Sequence, residues 1–271
     1  MINFLHTFTP NPILISFGPF HVYWYGMFIV LGIIAALAVT LKLAEYYKIN
    51  KEDIIDLAFY LIIGGVIGAR IYHICLEFSY YAEHQLDIFK LWNGGLAIHG
   101  AIIAGIIIMY IYVKKKKLDF WLFAALAVPG LALAQAVGRW GNYFNQELYG
   151  KPTDLPWGIP IQFNNRVLEY YTSTYFHPTF LYESLGSLAI FAVLIIMHYL
   201  IIKKQKLNFQ YIVFAYLVLY SLLRFATEIL RADPTPIVLG LRLPQIISLM
   251  IILISLSWFV WNGRNNALAK K

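Results

Sequence analysis

Residues 119–150 read DFWLFAALAVPGLALAQAVGRWGNYFNQELYG, and the change of character inside that stretch decides the fold. Residues 119–137 form an apolar run of the length that crosses a bilayer as a helix, about 20 residues. Gly138 to Gly150 then set Arg139, Asn142, Asn145, Gln146 and Glu147 among three glycines. The run is expected to leave the membrane near Val137 and open into a polar stretch. A helix needing only an interfacial anchor uses a Trp, Tyr or Lys or two. So many fixed donors and acceptors beside a guanidinium suggest recognition of a polar, anionic group at the membrane boundary. The plainer alternative is an interfacial loop that caps the helix and snorkels its arginine.

The rest of the chain repeats the apolar half of that pattern. Of 271 residues, 60% are hydrophobic and 13% charged, and mean hydropathy is +0.65. Such values exclude a soluble globular domain and fit a polytopic membrane protein. Seven spans are expected, at 20–41, 54–76, 95–113, 119–137, 179–202, 209–230 and 242–261, with the longest loop at 138–178. Backbone polar groups must pair inside lipid, so the spans are helices and the fold is all-α, a single integral membrane domain over 1–271. No segment shows the alternation of a membrane barrel. Residues 1–19 hold no Lys or Arg and no A-x-A-like site, so no cleavable signal is expected. Cys75 is the single cysteine, which rules out an intrachain disulfide and a cysteine-based metal site; it reads as a small buried hydrophobe.

The net charge of +7 is distributed by side of the membrane. Lys42, Lys48, Lys51, Lys114 to Lys117, Lys203, Lys204, Lys206, Arg264, Lys270 and Lys271 fall on one side. Lys90, Arg139, Lys151, Arg166, Arg231 and Arg242 fall on the other. The positive-inside rule then places the N-terminus outside and the C-terminus in the cytoplasm. This arrangement explains the basic balance without nucleic acid. The cytoplasmic positives are lysines but for Arg264, whereas arginines dominate elsewhere. Lysine suffices as a topology anchor and arginine suits planar phosphate or carboxylate contacts, so chemistry is expected at or near the outer face.

Polar residues inside the spans converge there. Arg70 and His73 share a helix face, and charge within a span suggests function unless it snorkels. His99 follows Gly94-Gly95 at the start of the third span, where burying an imidazole is costly. Tyr25 precedes Gly26, which permits close helix approach, whereas Tyr23 and Trp24 read as interfacial belt. Tyr220, Arg224, Glu228 and Arg231 form one stripe, with an intrahelical Arg224–Glu228 pair as its structural explanation and an anion site as its functional one. Glu183 needs a cationic partner from another helix, and Gln245 follows Leu243-Pro244 at the last span. No H-E-x-x-H, G-x-S-x-G, P-loop, G-x-G-x-x-G or intramembrane aspartate pair occurs. A transporter of lipid or anionic solute with a basic cavity stays open, yet no inverted repeat is evident. The inventory suits a phospholipid head group: Arg for phosphate, Asn, Gln and Glu for glycerol hydroxyls, and apolar walls for acyl chains.

The run Gly138–Gly150 resembles the signature of the prolipoprotein diacylglyceryl transferase family. The likeness extends in order to Tyr25-Gly26, Gly68-Ala69-Arg70, Gly94-Gly95, His99-Gly100, His177-Pro178, Leu181-Tyr182-Glu183 and Arg224, Glu228 and Arg231. It departs at Leu243-Pro244-Gln245, where the family often has Gly before Gln, and in Tyr220-Ser221, which lacks a glycine often found there. The resemblance implies a seven-span enzyme of the bacterial cytoplasmic membrane, open to the outer leaflet, with no cofactor or metal; a monomer is expected. It implies transfer of diacylglyceryl from phosphatidylglycerol to the lipobox cysteine of a prolipoprotein signal peptide, forming a thioether and releasing glycerol phosphate. It implies Arg139 and Arg224 on the phosphate, Asn142 and Glu147 on the head group, His99 as the thiol's base and Tyr25 lining the site. Asn145, Gly150, Arg70, Glu183, Tyr220, Glu228, Arg231 and Gln245 complete the expected substrate-binding set.

Overall fold

The computed structural model describes residues 2–204 and 208–268, with side chains over 4–203 and 208–262. Lys206, Lys270 and Lys271 of the charge argument, and the side chains of Lys204 and Arg264, lie outside them. The chain opens with α1 (Ile2–Thr7) and a hairpin of β1 (Ile13–Phe17) and β2 (Phe20–Tyr23), then runs into α2 (Trp24–Tyr46). There follow α3 (Lys51–Leu76), α4 (Phe78–Glu83), two 3-10 turns (Gln85–Phe89 and Leu91–Asn93), α5 (Ile98–Lys116) and α6 (Phe120–Phe144). A loop carrying β3 (Ile159–Pro160) and β4 (Tyr175–Phe176) leads to α7 (Thr179–Lys204) and α8 (Phe209–Leu230). A second hairpin, β5 (Ile237–Val238) and β6 (Leu241–Arg242), precedes α9 (Leu243–Leu268). Among the described residues seven helices, α2, α3 and α5 to α9, are long and apolar enough to cross a membrane.

Two boundaries and one burial differ most from the sequence expectation. The first span begins at Trp24, because Phe20 to Tyr23 pair with β1 as a strand. The fourth continues to Phe144, so Arg139 and Asn142 sit on its last turns and not in a loop beginning at 138. Nothing in Gly138 to Phe144 is a strong enough breaker, and the stop comes one turn later. There Gln146 adopts a left-handed φ of 53°, Glu147 N donates to Asn142 O (3.0 Å) and Gln146 N to Tyr143 O (3.0 Å), the paired bonds of a Schellman end. Cys75, expected buried, is exposed on α3.

The chain packs as two compact units. One comprises residues 1–39 and 127–271. Its loop end holds an apolar cluster of Leu5, Tyr143, Tyr149, Ile159, Ile161, Phe176 and Phe180, with Tyr143 stacked on Phe180 at 4.4 Å. The N-terminal segment is part of this packing, since His6 stacks on Tyr175 (3.9 Å) and donates to Gly158 O (2.8 Å). Buried Gln146 draws three segments together: its amide donates to Pro10 O (2.8 Å), and its carbonyl accepts from Gln162 N (2.7 Å). Among the helices, Ser184 of α7 donates to Ala136 O of α6 (2.9 Å), and a Cβ at Gly32 of α2 would meet Ala134 O of α6 at 3.2 Å.

The other unit, residues 40–126, is built on α3 against α5. Their backbones touch at Gly68 and Gly100: a Cβ at Gly68 would come within 2.7 Å of Gly100 O, and one at Gly100 would strike Gly68 O and Tyr72 Cβ. Small residues that allow such approach are the usual means of joining helices in lipid, where apolar burial gives no drive. Gly100→Leu is therefore expected to destabilise this unit by about 1–3 kcal/mol or more, read as a lowered unfolding temperature in detergent; an unchanged temperature would show that the contact is not close.

Candidate active site

The polar residues of the larger unit meet in one ion-paired cluster. Arg139, one turn from the end of α6, reaches Glu183 of α7 (Nη2 to Oε2, 2.6 Å). Arg224 of α8 approaches the other oxygen of Glu183 (Nη1 to Oε1, 3.5 Å) and pairs with Glu228 one turn along its own helix (Nη2 to Oε2, 2.7 Å). Arg231, just past α8, lies 3.8 Å from Glu183 Oε1 and 3.1 Å from Asp233 Oδ1. Glu183, expected to need a partner from another helix, thus has three.

The cluster sorts its members by exposure. Glu228 is fully buried, and Glu183 and Arg231 are 3% exposed. Such charges persist in a protein interior only when paired. Arg139 and Arg224 keep 18% and 19% of their side chains open. Arg242 keeps 19% as well, but its donors are taken by Glu228 Oε1, Asp233 O and Thr235 Oγ1, which leaves Arg139 and Arg224 as the partly open members held in place by buried carboxylates. Burial pulls the Arg231 pKa below its ordinary value, opposed by the charges of Glu183 and Asp233.

A second arm runs from Arg139 toward the surface. Its Nη1 donates to Asn142 Oδ1 (3.3 Å), and Asn142 Nδ2 donates to Glu147 Oε1 (2.7 Å). Asn142 is buried and Glu147 exposed, so the amide fixes a carboxylate that faces outward. Tyr25 of α2 lies against Gly141, where a Cβ would come within 2.6 Å of its ring. Its hydroxyl feels the charges of both Glu147 and Arg139. Asn145 is half-buried at the end of α6, and Tyr220 stacks on Tyr216 at 5.8 Å. Gly150 is pinched between the starts and ends of neighbouring helices: its N donates to His177 O (2.9 Å), and a Cβ there would meet Leu230 O at 3.0 Å.

Sequence reading missed Arg242 as a member. It donates from Nε to Glu228 Oε1 (2.7 Å) and from Nη2 to Asp233 O (2.8 Å) and Thr235 Oγ1 (3.1 Å). It therefore closes the β5–β6 hairpin and shares Glu228 with Arg224. The available signal was an arginine among lysine-anchored spans, lying directly before an apolar run. Gln245, expected to bind substrate, is buried, and its Oε1 accepts from Arg242 N (3.1 Å).

The smaller unit holds the other two candidates. The donors of Arg70 are taken up by backbone carbonyls of Ile88 (2.9 Å), Gly94 (2.7 Å), Gly95 (3.0 Å) and Asp87. Gly94 and Gly95 turn through φ of 84° and 75° to present those carbonyls. Arg70, expected in the substrate-binding set, thus pins the loop entering α5. His99 stands exposed on the first turn of α5, its ring 5.9 Å from Tyr72. Among the described residues no group of three or more His, Cys, Asp or Glu is arranged to hold a metal ion.

Seven apolar helices, and a cluster of paired arginines and carboxylates carried by α6, α7, α8 and the hairpin before α9, define a polytopic membrane protein with a buried ion-paired centre. A profile of the family described as prolipoprotein diacylglyceryl transferase matches residues 12–261. Proteins named phosphatidylglycerol–prolipoprotein diacylglyceryl transferase are similar throughout. One from a Nostoc species is 40% identical over 260 residues, covering 95% of this chain and 91% of the relative. One from Acaryochloris marina is 41% identical over 254 residues (93% and 91%), and one from Fervidobacterium nodosum 39% over 246 (90% and 82%). The chain belongs to the prolipoprotein diacylglyceryl transferase family.

The shared carboxylate gives a test of how Arg242 acts. Arg242→Met leaves buried Glu228 with Arg224 alone and is expected to lower both stability and activity. Paired with Glu228→Gln in a double-mutant cycle, the effects should be non-additive by about 0.5–3 kcal/mol, measured by unfolding in detergent. Strict additivity would mean that Arg242 and Glu228 do not act together.

Proposed function

We propose that this chain transfers the diacylglyceryl group of phosphatidylglycerol to the cysteine thiol of a prolipoprotein lipobox. The observation that carries the reading is the charge balance of the ion-paired cluster. Arg139, Arg224, Arg231 and Arg242 stand against Glu183, Glu228 and Asp233, and Arg139 and Arg224 are partly open at its edge. One positive charge is left over within those pairs, and exposed Glu147 joins only through Asn142. A phosphodiester carries one negative charge, so it completes the cluster without a counterion. Family membership and the names of the relatives support the same substrates.

In the reaction a C–S bond forms at the glyceryl carbon as its C–O bond to phosphate breaks. The electron pair leaves on the phosphate oxygen, and glycerol phosphate departs with a second negative charge. Arg139 and Arg224 stabilise that charge as it develops, by preorganised donors that need not reorient. Asn142 and the outward carboxylate of Glu147 order the head-group hydroxyls, with Asn145 and Gly150 at the edge of the same surface. Tyr25 and Tyr220 line the apolar side. Glu183 and Glu228 hold the two working arginines in place, Arg231 pairs with Glu183 behind them, Gln245 fixes the backbone of Arg242, and Arg70 fixes the loop that leads to His99. The family resemblance assigns His99 the thiol proton, since the thiolate is the nucleophile. The lysine-rich ends lie in the cytoplasm, and the arginine cluster faces the outer leaflet of the bacterial inner membrane in a monomer, an orientation supported by the charge distribution.

The test is a mass measurement. Purified protein, phosphatidylglycerol and a lipobox peptide should give a peptide heavier by one diacylglyceryl group, and a Cys→Ser peptide should give none. Arg139→Lys is expected to lose about 100-fold in rate, because an ammonium cannot replace a planar fork that bridges Glu183, Asn142 and phosphate. Full activity in Arg139→Lys would remove this arginine from the mechanism, and an unmodified peptide with folded wild-type protein would overturn the reading.

A further inference from the structure

The smaller unit carries a cavity that the proposed reaction does not use. It is a groove of about 720 Å³ along the α3–α5 seam, at the end where α5 finishes. Its walls include Phe59 and Ile63 of α3 and Ile111 of α5, and its mouth holds Tyr112, Lys115 and Lys116. The volume is that of a site for a sizeable apolar ligand. The wall side chains are turned outward, with Phe59 60% exposed.

The mouth is ordered. Asp53 of α3 accepts from both Tyr112 Oη (3.2 Å) and Lys116 Nζ (3.0 Å), which holds the end of α5 against α3. Lys117 closes the helix in a left-handed conformation, so the run Lys114 to Lys117 wraps around that end instead of extending away. Asp53 and Asp56 offset part of this charge, and Asp119 caps α6, with its Oδ1 accepting from Trp121 N (2.7 Å). Glu52, Asp53, Asp56 and Asp119 balance the lysine run as a whole, but the charged residues that line the groove itself are Lys115 and Lys116, so its mouth is positive. Lysines at this end serve as topology anchors and complement the helix C-terminus in any case. An anchor alone, however, needs no apolar groove beneath it.

We propose that this groove is a binding site for an anionic diacyl phospholipid, separate from the arginine cluster. An acyl chain lies against Phe59, Ile63 and Ile111, and the phosphate sits on Lys115 and Lys116. Basic clusters at helix ends with a pocket between the helices are the arrangement that selects anionic head groups. Charge complementarity commits the site to anionic lipid over zwitterionic lipid, and the apolar wall commits it to lipid over free phosphate.

Photolabelling of the full chain in bilayer nanodiscs tests this. The probe is phosphatidylglycerol with a diazirine in one acyl chain, and peptide mass spectrometry locates the label. Labelling is expected on the peptides holding Phe59, Ile63 and Ile111. Unlabelled phosphatidylglycerol should compete and phosphatidylcholine should not, and soluble glycerol phosphate should leave the labelling unchanged. Lys115→Gln with Lys116→Gln should weaken competition on the order of tenfold. Because Lys116 also pairs with Asp53, a second variant, Ile63→Trp, fills the groove with the lysines intact and should reduce labelling there while peptide lipidation persists. Equal competition by phosphatidylcholine would show only ordinary surrounding lipid, competition by glycerol phosphate would show an anion site without a lipid groove, and unchanged labelling in both variants would place the lipid elsewhere; each overturns the proposal. Lipidation by the wild-type protein is scored in the same sample, so failure here is distinct from failure of the transferase reading.

Discussion

The ion pairing around Glu183 is the constraint on which the larger unit depends. A carboxylate only 3% exposed, on a helix whose neighbours are apolar, cannot be tolerated without cations. It is met by Arg139 from α6, Arg224 from α8 and Arg231 from the segment beyond α8. That requirement brings three separate parts of the chain to one point. Glu228 repeats the arrangement between Arg224 and Arg242 and so ties the β5–β6 hairpin to the same point. The result is a rigid framework in which two guanidiniums are oriented and still partly open. Burial sets Arg139 and Arg224 apart from Arg231, and the donors already committed to Glu228, Asp233 and Thr235 set Arg242 apart from both.

The two units illustrate different means of holding helices together in lipid. In the smaller one the backbones of α3 and α5 touch at Gly68 and Gly100, and Arg70 satisfies the carbonyls of the loop that follows. In the larger one, ion pairs, the Ser184–Ala136 hydrogen bond and the aromatic cluster around Tyr143 and Phe180 do the joining. Hydrogen bonding to carbonyls and packing of small residues both act without the hydrophobic drive that lipid removes.

Much of this was legible in the sequence, because apolar length and charge sidedness are local properties. Six spans match the observed helices to within a few residues at most ends, and the fourth was cut short at Val137 since Arg139 reads as an exit from lipid. The helix in fact carries Arg139 and Asn142 inward on its last turns. The Arg224–Glu228 pair was readable from its spacing, whereas the partners of Glu183 were not, because they come from other helices. Gln146 gave no local sign of its role, since its partners Pro10 and Gln162 are distant in sequence. The partners of Arg70 were not legible either, because its guanidinium donates to the carbonyls of a loop 17 to 25 residues further on.

The central claim is that the surplus positive charge beside Glu183 receives the phosphate of the donor lipid. A structure of the full chain with phosphatidylglycerol bound tests it most directly. The account predicts phosphate oxygens within hydrogen-bond distance of both Arg139 and Arg224, with Glu183 still paired behind them. A head group seated away from those two arginines, with the cluster closed on itself as it stands, would contradict the account.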